Sequence, residues 1–323
     1  MQTIANRRAI RSLSRRWVSS MLKPEDFMAR NAVSIFQRFF YVATPSSGRL
    51  KLALIISFDF YFVISFIFFV MSITDCDPQP LISIITVSYN AVATIERTIL
   101  SVLNQDYKCV EYIIIDGGST DGTIDIISKY KDRITYWCSE PDKGIYDAMN
   151  KGISHANGLF IGLINSDDWY ETNTVSTIVS ACLEFPDVDV FCGDLRVHYS
   201  SGRSRIVHSN CKAITSRMSI NHPTCFVRSD VYKKRKFSLK YKLASDYDFL
   251  LWCALSKLKF KSLPVVLANF TVGGATFTSN HKGTFEAFDI WVDQLGYTRA
   301  VIYFTRDMAR KYLSNVKRCI LSK

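Results

Sequence analysis

The sequence predicts an α/β fold, a Rossmann-like, mostly parallel sheet flanked by helices, and three observations carry that prediction. From residue 81 onward, apolar β-branched runs of strand length alternate with stretches of helical spacing. The links between them are short, and strand, loop and helix in repetition build a parallel, doubly wound sheet. The runs also end in polar clusters, Tyr89-Asn90, Asp116-Gly117-Gly118-Ser119 and Asn165-Ser166-Asp167-Asp168. Such sheets collect ligands there, at the carboxyl ends of their strands.

Taken in order, Leu81–Ser88 reads as the first strand, and Ala93–Gln105 as a helix with Ile95, Ile99, Val102 and Leu103 on one face. Glu111–Asp116 is the second strand; a glycine-rich turn follows it, and then a helix over Thr123–Tyr130. Ile134–Cys138 and Leu159–Ile164 supply the third and fourth strands. A helix is expected over residues 247–257. Val301–Leu321 mixes apolar residues at helical spacing with Arg306, Arg310, Lys311, Lys317 and Arg318. That pattern suits either a basic amphipathic helix on a membrane surface or a solvated helix closing the fold.

Three segments follow: a basic and apolar N-terminal extension over 1–78, the α/β domain over 79–280, and a C-terminal basic helical region over 281–323. Within the first, Leu52–Thr74 is an apolar run of 23 residues broken only by Asp59, which exceeds the ~20 residues needed to span a bilayer. Either it is a membrane segment, with the arginine excess before it holding the N-terminus in the cytoplasm, or the physiological protein begins at Met71 and residues 1–70 are an upstream extension.

The net charge of +11 would suggest nucleic acid if it were evenly spread, but it is not. Residues 1–70 carry ten Lys/Arg against three Asp/Glu, residues 299–323 seven against one, and the stretch between them 23 against 25. The middle is not a nucleic-acid surface, whereas both ends suit an anionic membrane. The nine cysteines are odd in number and scattered, without a CxxC pair. They read as free, mostly buried thiols rather than a disulfide or zinc framework.

The chemistry-bearing residues begin with Asp167-Asp168, where a buried strand runs into adjacent carboxylates. Two such groups repel unless a cation or ligand offsets them, and hard oxygen donors suit Mg²⁺ or Mn²⁺ bridging phosphates. The competing reading is Asp168 as a helix cap. The Asp116–Thr123 loop matches neither GxxxxGK[ST] nor GxGxxG, which removes the best support for a kinase or a dehydrogenase.

Together the segments Ile84–Asn90, Ser101–Gln105, Glu111–Thr123, Ser139–Gly152 and Asn165–Asp168 resemble the family 2 glycosyltransferases of the GT-A fold, over roughly residues 80 to 280. Within that family the chain is most similar to bacterial enzymes that assemble exopolysaccharide, capsule or O-antigen. The resemblance implies a metal-dependent, inverting transfer from a nucleotide-diphosphate sugar, UDP being the commonest nucleotide, to a lipid-linked glycan at the cytoplasmic face of the inner membrane.

By position, the resemblance places Thr86, Tyr89 and Asn90 beside the base, with Asp116 accepting a hydrogen bond from it. Asp142 and Lys143 meet the nucleotide, with Asn150 nearby. Asp167 takes ribose or metal, and Asp168 takes the metal, Mn²⁺ or Mg²⁺. In the second half, Asp246 matches the family's base, although Ser245 stands where many members carry Glu, and a helix-cap role competes. His222, Asp248, Gly273 and Gly274 fall on the acceptor side. Asp194 and Trp169 also lie near strand ends, as a sugar contact or a plain turn carboxylate for the former and as a core residue or a sugar platform for the latter. Two rival functions are a catalytically silent nucleotide-sugar-binding subunit and a nucleotidyltransferase. Intact Asp168 and Asp246 oppose the first, and the absence of a Gly-rich Arg/Lys signature after Tyr89 opposes the second.

Overall fold

The computed structural model describes residues 79–273 and 282–321; the run 52–74 and Met71 lie outside them. Strands β1 (Ile82–Ser88), β2 (Val110–Asp116), β3 (Tyr136–Ser139) and β4 (Phe160–Asn165) alternate with helices α1 (Ile95–Leu103), α2 (Thr123–Lys129) and α3 (Ile145–His155). The second half carries β5 (Trp169–Tyr170), α4 (Thr174–Glu184), β6 (Val190–His198), β7 (Ser204–Val207), β8 (Phe226–Arg228), α5 (Ser229–Lys234), α6 (Ser245–Leu255) and β9 (Phe260–Thr271). Two helices follow, α7 (Lys282–Leu295) and α8 (Tyr297–Leu321).

All nine strands form one sheet in the order β3-β2-β1-β4-β8-β6-β9-β5, with β7 paired to β6. The β3-β2-β1-β4 half is wholly parallel. The short β8 runs antiparallel between β4 and β6, while β6 and β9 return to the parallel direction. The sheet is therefore mostly parallel by strand direction, and the exceptions are its short members.

Strand β1 is buried along its whole length, because helices cover both faces and its β-branched residues fill both. Ile82 and Ile84 point into a core shared with α1, α2 and α4. Ile85 and Val87 point the other way, into a core with α3, α6 and α7. Helix α1 buries Ile95, Thr98, Ile99 and Val102, a 3.6-period stripe.

Helix α3 approaches the sheet closely at Gly152, where a Cβ would stand 2.4 Å from Ile85 Cγ2. Gly152→Ala is therefore expected to cost about 1–3 kcal/mol through overpacking, outweighing the ~0.5–1 kcal/mol that Ala returns in helix propensity. Urea unfolding checks this; an unchanged or higher midpoint would show that α3 shifts freely on the sheet.

Helix α6 begins two residues earlier than the sequence spacing predicts, with Ala244 as its N-cap and no side-chain capping bond. Asp246 lies inside the first turn and is not the cap. Similarly, Asp168 precedes strand β5 and caps no helix. The seven described cysteines are free. Cys192 and Cys211 lie with their sulfurs 3.3 Å apart.

Candidate active site

At the carboxyl end of β1 the chain turns through Asn90, held at φ 48°. Its backbone N–H donates to Ser119 Oγ at 2.8 Å, and its side-chain oxygen accepts the Thr120 N–H at 3.0 Å. Ala91 N–H donates to Thr123 Oγ1 at 2.8 Å and Val92 N–H to Asp121 Oδ2 at 3.0 Å. These bonds fasten the first strand-end loop to the second, so Asn90 shapes the site through its backbone turn. Tyr89 stands exposed beside them.

Asp116 is fully buried, and its carboxylate accepts from Ser88 Oγ, Ser119 Oγ, Ser139 Oγ and the N–H groups of Gly118 and Ser119, at 2.6–3.1 Å. Burial works to raise its pKa, but these bonds favour the charged form more strongly and hold it below the usual range. With five donors on about four lone-pair sites, Asp116 has none left for a base. It organises the loop, which corrects the contact expected of it.

A second carboxylate at this strand end is Asp142. A Cβ on Gly117 would lie 2.6 Å from Asp142 Oδ2 and 3.4 Å from Tyr89 Cδ2, so glycine leaves room for that carboxylate next to the tyrosine ring. Asp142 Oδ1 accepts the Gly144 N–H at 2.7 Å, which fixes the carboxylate. Lys143 is exposed beside it.

Two other expectations need correction. Thr86 is buried in mid-strand, its hydroxyl 3.0 Å from Tyr112 Oη. Asn150 spends its amide on the backbone of Phe237, donating to its carbonyl at 2.9 Å and accepting its N–H at 3.0 Å.

Beyond β4 lies the carboxylate pair. Asp168 is fully buried, and among the described residues neither of its oxygens, nor Asn165 Oδ1, has a hydrogen-bond partner. Burial, then repulsion from Asp167, pushes Asp168 well above the usual carboxylate range, against the opposing charge of Arg97. Burial also raises Asp167. Orphaned buried acceptors cost free energy unless something satisfies them. These unsatisfied hard oxygens are of the donor type that suits Mg²⁺ or Mn²⁺, although among the described residues no group of three or more His, Cys, Asp or Glu side chains is gathered for a metal.

Trp169 is stacked against two side chains. The Arg97 guanidinium lies 3.6 Å from its ring centroid, and His198 stacks on it at 4.9 Å between centroids.

On the acceptor side, Asp246 Oδ1 accepts from Tyr146 Oη at 3.1 Å and from the Tyr247 N–H at 2.8 Å. Burial and the neighbouring Asp246 raise Tyr146 far above its ordinary pKa, so it stays a protonated donor. Burial lowers the pKa of His222, which packs edge-on against Phe237 at 5.9 Å; the nearby Asp246 charge opposes that shift. A neutral His222 beside the carboxylate suits shaping a pocket.

Asp248 is also buried, but it pairs with Arg235 at 2.7 Å and with Gln294 Nε2. That ion pair is structural, so Asp248 is not an acceptor-side group. Gly273, at φ 143°, ends the turn after β9, and Gly274 lies outside the described residues. Asp194 sits within β6, accepting from His208 Nδ1 at 2.7 Å and Ser209 N–H at 3.3 Å.

Sequence reasoning missed Tyr146 because Tyr146, Met149 and Ile153 share one helical face and read as core. It missed Arg97 because a lone cation on the polar side of a helix reads as a solvated face.

The sequence model of the family described as Glycosyl transferase family 2 matches residues 83–249. An uncharacterized glycosyltransferase of Mycobacterium tuberculosis is 34% identical over 182 residues, covering 54% of this chain and 70% of that protein. The crystal structure of S. aureus TarS 1-349 in complex with UDP-GlcNAc matches with a TM-score of 0.57 and 20% identity, over 72% of each chain. Against a longer TarS structure (TM-score 0.56, 21% identity, 72% of this chain) the match covers 43% of that chain. The mannosyltransferase PcManGT from Pyrobaculum calidifontis, in complex with GDP-Man and Mn²⁺, gives a TM-score of 0.52 at 14% identity, over 76% of this chain and 81% of its own. At these identities the solved structures establish the GT-A fold.

Proposed function

The chain belongs to glycosyl transferase family 2, and from that premise we propose that it is an inverting, metal-dependent enzyme moving a sugar from a nucleotide-diphosphate donor to a glycan hydroxyl. One observation carries this reading. Tyr146, four residues beyond Asp142, donates to Asp246 on the first turn of α6. The nucleotide loop and the candidate base therefore meet in one site. UDP is the favoured nucleotide; TarS carries UDP-GlcNAc in one structure, while PcManGT carries GDP-Man and Mn²⁺ in another.

Asp246 takes the proton of the acceptor hydroxyl as its oxygen attacks the anomeric carbon, and the bond to the diphosphate breaks on the opposite face, inverting the centre. Tyr146 holds the carboxylate during this step, leaving Asp246 Oδ2 without a protein donor for the incoming proton. Asp168, with Asp167 and Asn165 beside it, would hold the cation, whose positive charge offsets that of the departing diphosphate. Asp142 and Tyr89 bind the base.

The reading is tested by a donor screen scored on nucleotide release, with and without Mn²⁺. Release from no sugar nucleotide under either condition would favour the silent binding subunit. Within the screen, Asp142→Asn should weaken binding of the preferred nucleotide by about tenfold or more, the scale of a lost charge-assisted hydrogen bond. Asn can still accept the Gly144 N–H, so the loop stays in place. Unchanged affinity by calorimetry would remove Asp142 from the base site.

The C-terminal helices support a membrane-bound acceptor at the cytoplasmic face of the inner membrane. Phe285, Ile302, Met308, Tyr312 and Leu313 are exposed on α7 and α8, in a stretch rich in Lys and Arg. Among the described residues no helix is long and apolar enough to cross a membrane. Interfacial docking of these two helices would bring the enzyme to a lipid-linked glycan.

A further inference from the structure

Helix α1 runs as a polar rail beneath the segment that carries the two carboxylates. Arg97 Nη2 donates to the Asp167 carbonyl at 2.9 Å, and Thr98 Oγ1 donates to the Asp168 carbonyl at 2.6 Å. Ser101 Oγ accepts the Tyr170 N–H at 3.2 Å. Just past the helix, Gln105 donates to the Glu171 carbonyl at 2.8 Å and accepts the Val175 N–H at 2.9 Å. Residues 97, 98, 101 and 105 lie on one side at helical spacing. The rail satisfies backbone groups that a two-residue strand cannot satisfy by itself.

Arg97 differs from the rest of the rail in three ways. It is exposed, so the core does not depend on it. It touches both flanks of Asp168, bonding the Asp167 carbonyl on one side and stacking on Trp169, 3.6 Å from the ring centroid, on the other. It also reaches Thr271 Oγ1 at 3.4 Å, joining the carboxylate segment to the end of β9. Trp169 also stacks on His198, which Asn269 Oδ1 holds at 2.8 Å from Nε2. A planar cation thus closes one side of a stack that fixes the peptide units around Asp168. Its charge also eases the burial of both carboxylates.

We propose that Arg97 is a positioning residue for nucleotide-diphosphate binding, holding the Asp167–Trp169 segment so that Asp168 and Asn165 meet a divalent cation in one arrangement. This rests on the reading of Asp167 and Asp168 as the donor-side pair. Partners behind a metal ligand are worth about 10- to 100-fold in metal affinity, so the effect should show in nucleotide binding that depends on the ion. Arginine is required because lysine offers neither a planar face for the indole nor a second nitrogen in a fixed fork.

The test uses UDP and GDP as probes, titrated with and without Mn²⁺ into the full chain, Arg97→Met and Arg97→Lys, alongside melting temperatures. The unmodified protein should bind one nucleotide more tightly with Mn²⁺. Arg97→Met should lose about 10- to 100-fold of that affinity, with little change in the Mn²⁺-free value, and Arg97→Lys should recover only part of it. Mn²⁺-supported affinity at the unmodified level in both variants would overturn the proposal. So would an equal loss with and without Mn²⁺ accompanied by a lower melting temperature, the mark of a merely structural role. If the unmodified protein binds neither nucleotide in Mn²⁺, the donor reading itself fails and the Arg97 assignment falls with it.

Discussion

Asp246→Asn is expected to reduce sugar transfer by about 10²–10⁴-fold, the usual cost of losing a positioned base, while nucleotide affinity and melting temperature stay near those of the unmodified protein. Asn matches Asp in size, and its oxygen can still accept from Tyr146 Oη and the Tyr247 N–H, the two bonds that fix the side chain. What it loses is the capacity to take a proton. Ala244 is the N-cap, and Asn keeps the one first-turn bond that Asp246 accepts, from the Tyr247 N–H, so the helix end is unchanged. Single-turnover transfer, donor affinity and thermal unfolding measured together separate the outcomes. Near-normal transfer would remove Asp246 as the base. Suspicion would not then move to Asp248, whose carboxylate is held by Arg235 and Gln294.

Asp168→Asn should act through a different route. It should lower transfer by about 10²-fold or more, the scale of losing one preorganised contact to developing charge, and abolish the gain in nucleotide affinity from Mn²⁺. It should also leave the metal-free protein as stable as before or more so. The sign follows from the raised pKa. Asp168 binds its proton more tightly folded than unfolded, so stability is fully present below the unfolded value, near 4, and declines as pH rises from there through the raised folded value. The Asn variant lacks that decline. Unfolding measured against pH without metal, and again with Mn²⁺, checks both parts. A variant that keeps Mn²⁺-dependent affinity would overturn the ligand role of Asp168.

The first half of the fold was legible because each strand is a β-branched run and each intervening helix keeps a 3.6-residue stripe. The helix expected over Ala93–Gln105 forms as Ile95–Leu103, its ends fraying into turns. The second half was less legible. Strands of two and three residues, β5 and β8, are too short to carry a period and exist only through partners far along the chain.

The site divides in the same way. Polar clusters at strand ends announced where it lies, but a carboxylate at a strand end looks the same whether it awaits a ligand or ties a loop. Asp116 proved the latter because donors gather on it from Ser88, Gly118, Ser119 and Ser139, a convergence the linear sequence does not display. The nearness of Asp142 to Tyr89 emerged only when the space above Gly117 was filled. Thr86 lay one pleat too deep, and its partner Tyr112 comes from the neighbouring strand.

The pairing of β6 with β9 bears on how the chain is made. Their register joins residues 190–198 to 260–271, so a ribosome adding ~5–20 residues per second leaves roughly 4 to 15 s between the end of one strand and the end of the other. For that interval one edge of β6 is an open template for any passing strand. Nascent β6 can pair early with β7 at residues 195–198 and with β8 at 190–191, but both occupy its other edge, so the edge that β9 takes stays open along 190–198. There the register later slips on both sides of Asp194, whose buried carboxylate interrupts the apolar run. A bulged stretch carrying an inward-pointing charge is a poor partner for foreign strands.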